Sequence, residues 1–124
     1  MLHYFDFEEF DSPDLDGSGA PISEGGKMCI DFLHQLDNAR RIAEVPFKIT
    51  SGYRSTQHNL DVGGRIKSSH LVGKAADILV VNSYDRSRIL QGLIQAGFKR
   101  IGVGKTFVHC DTDETKPQAI WLYP

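Results

Sequence analysis

The chain is poor in the features that would mark several large classes of protein. It holds only two cysteines, Cys29 and Cys110. That is too few for a disulfide framework, so reduced, buried thiols are expected. No apolar run approaches the roughly 20 residues of a membrane-spanning helix, and no membrane partner is expected. Positive charge is not in excess: 14 Lys and Arg stand against 16 Asp and Glu, a net charge of −2. A sequence-independent nucleic-acid binder normally carries a basic stripe, so no nucleic-acid partner is expected either. The start, Met1-Leu2-His3-Tyr4-Phe5-Asp6-Phe7-Glu8-Glu9, is acidic and aromatic. It lacks the basic opening and apolar core of a signal peptide, which makes the cytoplasm the expected site of synthesis. Action outside the cell would then need release by something else. Internal repeats, low-complexity tracts and interdomain linkers are also missing. What remains is 124 residues, 40% of them hydrophobic, which suits one domain over 1–124 with its own core. A monomer is expected.

Residues 1–21 read as an aromatic stretch followed by a loop rich in Asp, Ser, Pro and Gly. Tyr4, Phe5, Phe7 and Phe10 are expected to pack back on the domain. Asp14, Asp16 and Ser18 begin a calcium-loop spacing but lack its later glutamate, so an ordinary surface loop is expected. From Ser23, a plausible N-cap, to Ala43, apolar residues at Met28, Phe32, Leu36, Ala39 and Ile42 recur at helical steps. His34 falls on that helix as a solvated or core-edge residue. Pro46 ends the pattern. Phe47–Ser51 alternates like a half-buried strand, and Gln57–Val62 suggests a short helical turn. Asp77-Ile78-Leu79-Val80-Val81 reads as a buried strand with Asp77 at its start. A second helix over Asp85–Ala96, capped by Asn82 or Ser83, turns Ile89, Leu90, Leu93 and Ile94 inward and stops at Gly97. Residues 100–103, 106–110 and 119–123 then read as sequential antiparallel strands. The fold expected is α+β, with helices packed on a small antiparallel sheet.

Two segments carry the chemistry. Ser68-Ser69-His70-Leu71-Val72-Gly73-Lys74-Ala75-Ala76-Asp77 places a histidine and an aspartate seven positions apart with small residues between them. Phe107-Val108-His109-Cys110-Asp111 adds a second histidine in an apolar run. Two imidazoles and a carboxylate suit a catalytic zinc site, in which three protein ligands leave a fourth position open. Read singly, His70 is equally a surface residue and Asp77 equally a turn cap. Cys110 alternates away from His109 and Asp111 and is expected in the core, not on the metal.

With Ile49-Thr50-Ser51-Gly52-Tyr53-Arg54-Ser55, His58-Asn59 and Val62-Gly63-Gly64 upstream, Ser68-x-His70-x-x-Gly73-x-Ala75-x-Asp77 and Phe107-Val108-His109 resemble the zinc D-Ala-D-Ala carboxypeptidase family. That family includes phage endolysins that cleave L-Ala-D-Glu bonds, and it shares its fold with the Hedgehog signalling domain. The resemblance spans residues 28–123. It implies that His70, Asp77 and His109 hold one zinc ion, and that Arg54 lies beside it. There Arg54 would pair with a substrate carboxylate or steady the oxyanion. Ser51 and Ser68 would bond ligands or substrate, or are simply turn residues. His58 is open between a substrate contact and a structural hydrogen bond. Tyr53 and Trp121 line the cleft or belong to core and rim. The substrate implied is a peptidoglycan stem peptide, cleaved by a carboxypeptidase or an endopeptidase.

The sequence departs from the family at one point. Several branches place a catalytic carboxylate three residues before the last histidine, where Thr106 stands here. Phe107 occupies the position two before, where related folds carry a histidine. Asp111 shares the facing of His109. It is therefore the candidate for general base, or for a partner orienting a ligand; Asp113 is a second candidate. The missing base leaves a non-catalytic zinc module as the alternative.

Overall fold

The computed structural model describes residues 2–11, 28–52 and 69–124. Among the described residues, two helices pack on one face of a five-stranded sheet, and the fold is α+β as expected. The helices are α1, Ile30–Ala43, and α2, Ser83–Gln95. The strands are β1, Ile49–Ser51; β2, Ala75–Leu79; β3, Arg100–Val103; β4, Phe107–Asp111; and β5, Ala119–Leu122. Short 3-10 helices occupy Phe7–Phe10 and Ser69–Val72.

The sheet order is β1-β2-β4-β3-β5. Chain β2-α2-β3 is a crossover whose two strands are separated by β4, antiparallel to both. The sheet is mixed, which corrects the all-antiparallel expectation: β5 runs parallel to β3. The reason is edge availability. Both edges of β4 are already paired, to β2 and β3, so the chain leaving Asp111 must pass β3 and join its free edge. Backbone bonds from Ala119 N–H to Lys99 O and from Tyr123 N–H to Val103 O complete that seam.

The helix-facing side of the sheet carries Ala76, Ile78, Ile101, Val108 and Cys110, all fully buried. Against them lie Phe32, Leu33 and Leu36 of α1 and Ile89 and Leu93 of α2. Phe5 and Phe10 join this core as expected, whereas Tyr4 and Phe7 are exposed. α1 is shorter than its apolar spacing suggests. Cys29 is its extended N-cap, and the Cys29 N–H donates to Gly73 O outside the helix. Met28 is buried but precedes the helix, so Ser23 is not the cap. Asn82 caps α2, its Oδ1 accepting from Asp85 N–H at 2.7 Å. Gly97, at φ +92°, follows its last turn. Arg88 of α2 donates to the carbonyls of Ile42 and Ala43, closing the open end of α1. His34 is exposed and Cys110 buried, as expected.

Candidate metal centre and active site

The side of the sheet away from the helices carries the functional residues, and strand register places them. Ser51 pairs with Asp77, Asp77 with His109, His109 with Gly102, and Gly102 with Trp121. These five residues form one rung across all five strands. Alternation puts the side chains of Asp77, His109 and Trp121 on a common face, and a register irregularity between Ile49 and Ser51 brings Ser51 opposite Asp77. Asp77 is the third of the five residues of β2, not the start of a strand over 77–81. Ala75 and Ala76 are small enough to be fully buried beside β4, while Val81 has left the sheet and is 71% exposed.

His70 reaches the same point from the 3-10 helix that precedes β2. Its Nδ1 lies 2.7 Å from Gly52 O. A carbonyl only accepts, so Nδ1 carries a proton and Nε2 is the nitrogen turned to the cluster. That Nε2 lies 3.5 Å from Asp77 Oδ1. His109 Nδ1 lies 2.9 Å from the same oxygen. The three donor atoms fall within 4.8 Å of one another, and His70 and His109 are 3% and 7% exposed. Two imidazole nitrogens, which give up any proton on metal binding, and a carboxylate at this spacing are a donor set into which one divalent ion fits. Burial raises the pKa of Asp77, but hydrogen bonds from His109 and His70 outweigh it and hold the carboxyl well below the usual range. Burial lowers the pKa of His109; bonds to Asp111 and Asp77 outweigh it, and the value is raised.

Asp111 lies behind His109. Its Oδ2 is 2.7 Å from His109 Nε2. Its Oδ1 accepts from Arg100 Nε at 2.8 Å and from Asp113 N–H at 3.1 Å. Both oxygens are engaged, the residue is 1% exposed, and the imidazole stands between it and Asp77. A carboxylate held this way can orient the His109 ring. Asp113 is turned elsewhere. Its Oδ1 accepts from Thr115 Oγ1 and N–H, and its Oδ2 from Ser69 Oγ at 2.8 Å. Lys116 Nζ donates to Ser69 Oγ at 2.9 Å. These contacts tie the His70 turn to the chain beyond β4. Thr106 is exposed in the β3–β4 turn, and the Phe107 ring packs 4.8 Å from that of Tyr123.

Trp121 reaches the site because Gly102 has no side chain. A Cβ on Gly102 would stand 2.7 Å from the indole Cε2 and Nε1. The Trp121 ring lies 5.6 Å from that of His109, which makes it a neighbour of the cluster. Arg100, whose guanidinium is 4.9 Å from the indole centroid, was not singled out from the sequence. Strand alternation places it on the site face opposite Ile101, but its partner across the ladder is not visible in the sequence. Among the expected substrate residues, Ser51 lies beside Asp77 on the rung. Arg54, His58 and Ser68, like Tyr53, the turn over 57–62 and the loop of Asp14, Asp16 and Ser18, lie outside the described residues.

A His-Asp-His set with both histidines buried and Asp77 partly exposed, on the face of an α+β sheet, could hold one metal ion. The chain belongs to the peptidase M15 family, whose model matches residues 4–111, a family of zinc enzymes of the D-Ala-D-Ala carboxypeptidase type. No curated protein matches the chain closely.

Proposed function

We propose that the chain is a zinc peptidase that hydrolyses a peptide bond in peptidoglycan stem peptides. The observation that carries this reading is the convergence of His70 Nε2, Asp77 Oδ1 and His109 Nδ1 on one face of the sheet. These three residues would hold the ion. Zinc in such a set supplies Lewis-acid polarisation of a carbonyl and an activated water. The chain's own residues set the stage for it. Gly52 O fixes the tautomer of His70. Asp111 holds the His109 ring with Nδ1 toward Asp77. Ser51, next to Asp77 on the rung, is a proposed substrate contact, and so, by resemblance, are Arg54, Ser68 and His58. Arg54 would steady a carboxylate or the developing oxyanion.

The engagement of both Asp111 oxygens favours a second reading, a zinc-holding module that binds its peptide without cleaving it. One experiment separates the two: mass spectrometry of purified peptidoglycan incubated with zinc-loaded protein, with and without a chelator. Chelator-sensitive loss of a terminal alanine means a carboxypeptidase, and chelator-sensitive split stem peptides mean an endopeptidase. Intact peptidoglycan from folded, zinc-loaded protein would overturn the peptidase reading.

A further inference from the structure

One rung along from Ser51–Asp77–His109–Gly102–Trp121, Asp111 pairs with Arg100 of β3 on one side and Ala75 of β2 on the other. We propose that Arg100 is a positioning residue for the metal centre, acting through Asp111 to fix which nitrogen of His109 faces Asp77 and His70. The inference rests on the reading of His70, Asp77 and His109 as metal ligands.

The geometry gives Arg100 little choice of position. Its Nε donates to Asp111 Oδ1 at 2.8 Å. Its Nη1 donates to the Pro117 carbonyl on the segment leading into β5. Its guanidinium lies over the Trp121 ring at 4.9 Å. A fork held from three sides loses little freedom when it binds a carboxylate. The Arg100 and Asp111 side chains are 15% and 1% exposed, so solvent screens the pair weakly. With Oδ1 taken by Arg100 and the Asp113 N–H, Oδ2 is the oxygen left for His109, and it lies 2.7 Å from Nε2. A carboxylate accepts, so the Nε2–H donates to Asp111, and this contact holds the ring with Nδ1 turned to Asp77 Oδ1, 2.9 Å away. Ala75, on the other side of Asp111, offers no polar side chain to replace Arg100. The chain thus builds a relay of Trp121, Arg100, Asp111 and His109 on one face of three strands.

The test uses full-length Arg100→Gln and Arg100→Lys proteins with three measurements. These are the His109 Nε2–H resonance of metal-free protein by ¹⁵N-edited NMR, zinc affinity by competition with a chromophoric chelator, and the thermal midpoint. In wild-type protein the Nε2–H is shielded from exchange by a buried carboxylate and should be observed. Arg100→Gln is expected to lose or shift that resonance and to weaken zinc binding by about 10- to 100-fold, the usual effect of removing an outer partner of a metal ligand. Arg100→Lys keeps the charge but not the fork, and should show part of both effects. A merely structural arginine would lower the midpoint and leave the resonance and the zinc affinity unchanged. That result overturns the proposal, and if Arg100→Gln does not fold, wild-type values for both readouts in Arg100→Lys overturn it equally. Failure of the wild-type protein to bind zinc would instead sink the metal reading, and the metal-free resonance would still report whether Arg100 holds His109.

Discussion

Asp77 Oδ1 lies 2.9 Å from His109 Nδ1, although the two residues are 32 positions apart in the chain. They are direct partners across the β2–β4 ladder, and the same oxygen lies 3.5 Å from His70 Nε2. A carboxylate shared by two imidazole nitrogens is a contact that a divalent ion would replace with bonds of its own.

Zinc should therefore stabilise the fold through these three residues. Ligand that binds only the folded state, at 100 times its dissociation constant, adds about 2.7 kcal/mol. The urea midpoint of wild-type protein is expected to rise with zinc and fall with chelator. Asp77→Asn and His109→Ala should each remove most of that increment. A wild-type midpoint indifferent to both zinc and chelator would refute the metal site.

Gly102 sets the approach of Trp121 to His109. In Gly102→Ala the new methyl would meet Tyr123 Cε2 at 2.5 Å and Trp121 Cε2 at 2.7 Å. Both rings must shift, at a cost of roughly 1–3 kcal/mol. Trp121 is the chain's single tryptophan, so its fluorescence reports on the site directly. Zinc should change the emission of wild-type protein, and Gly102→Ala should blunt that change. Superimposable spectra and equal stabilities would show that the rung tolerates a side chain there.

Asp113 gives the stability a specific dependence on acid. Burial raises its pKa, but the hydrogen bonds from Thr115 and Ser69 outweigh burial and bring it down to about 2. A carboxyl whose pKa is depressed in the folded state contributes stability in full above its unfolded value of about 4. That contribution is lost as the pH falls through about 2. Wild-type protein should exceed Asp113→Asn by a constant margin above about pH 4, and the margin should close toward pH 2. Urea denaturation across that range measures it; a margin that does not change with pH would rule out the mechanism.

Gly92 tests the helix pair that supports the sheet. A Cβ there would stand 2.4 Å from Ala39 O and 2.8 Å from Ala43 Cβ, with α1 directly in the way. Alanine at an ordinary helical position gains up to about 1 kcal/mol over glycine. In Gly92→Ala that gain should be outweighed by overpacking of roughly 1–3 kcal/mol. Thermal unfolding should show a net loss of stability, and a net gain would mean that the helices separate at little cost.

Much of this protein was legible in the chain as written. Alternation in Phe107–Asp111 put His109 and Asp111 on one face and Cys110 in the core, because successive strand residues point to opposite sides. Helical spacing identified both helices, and the motif from Ser68 to Asp77 named two of the three proposed ligands. Tertiary structure decided what depends on partners distant in sequence. Asp77 sits in mid-strand because the core accepts Ala75 and Ala76 beside β4, a preference that no β-propensity expresses. The last strand is parallel because β4 had no edge left to offer. Asp111 proved to be a carboxylate behind the histidine, since Arg100 claims its other oxygen from a neighbouring strand. Local pattern can assign a side chain to a face; only register decides which charge it meets there.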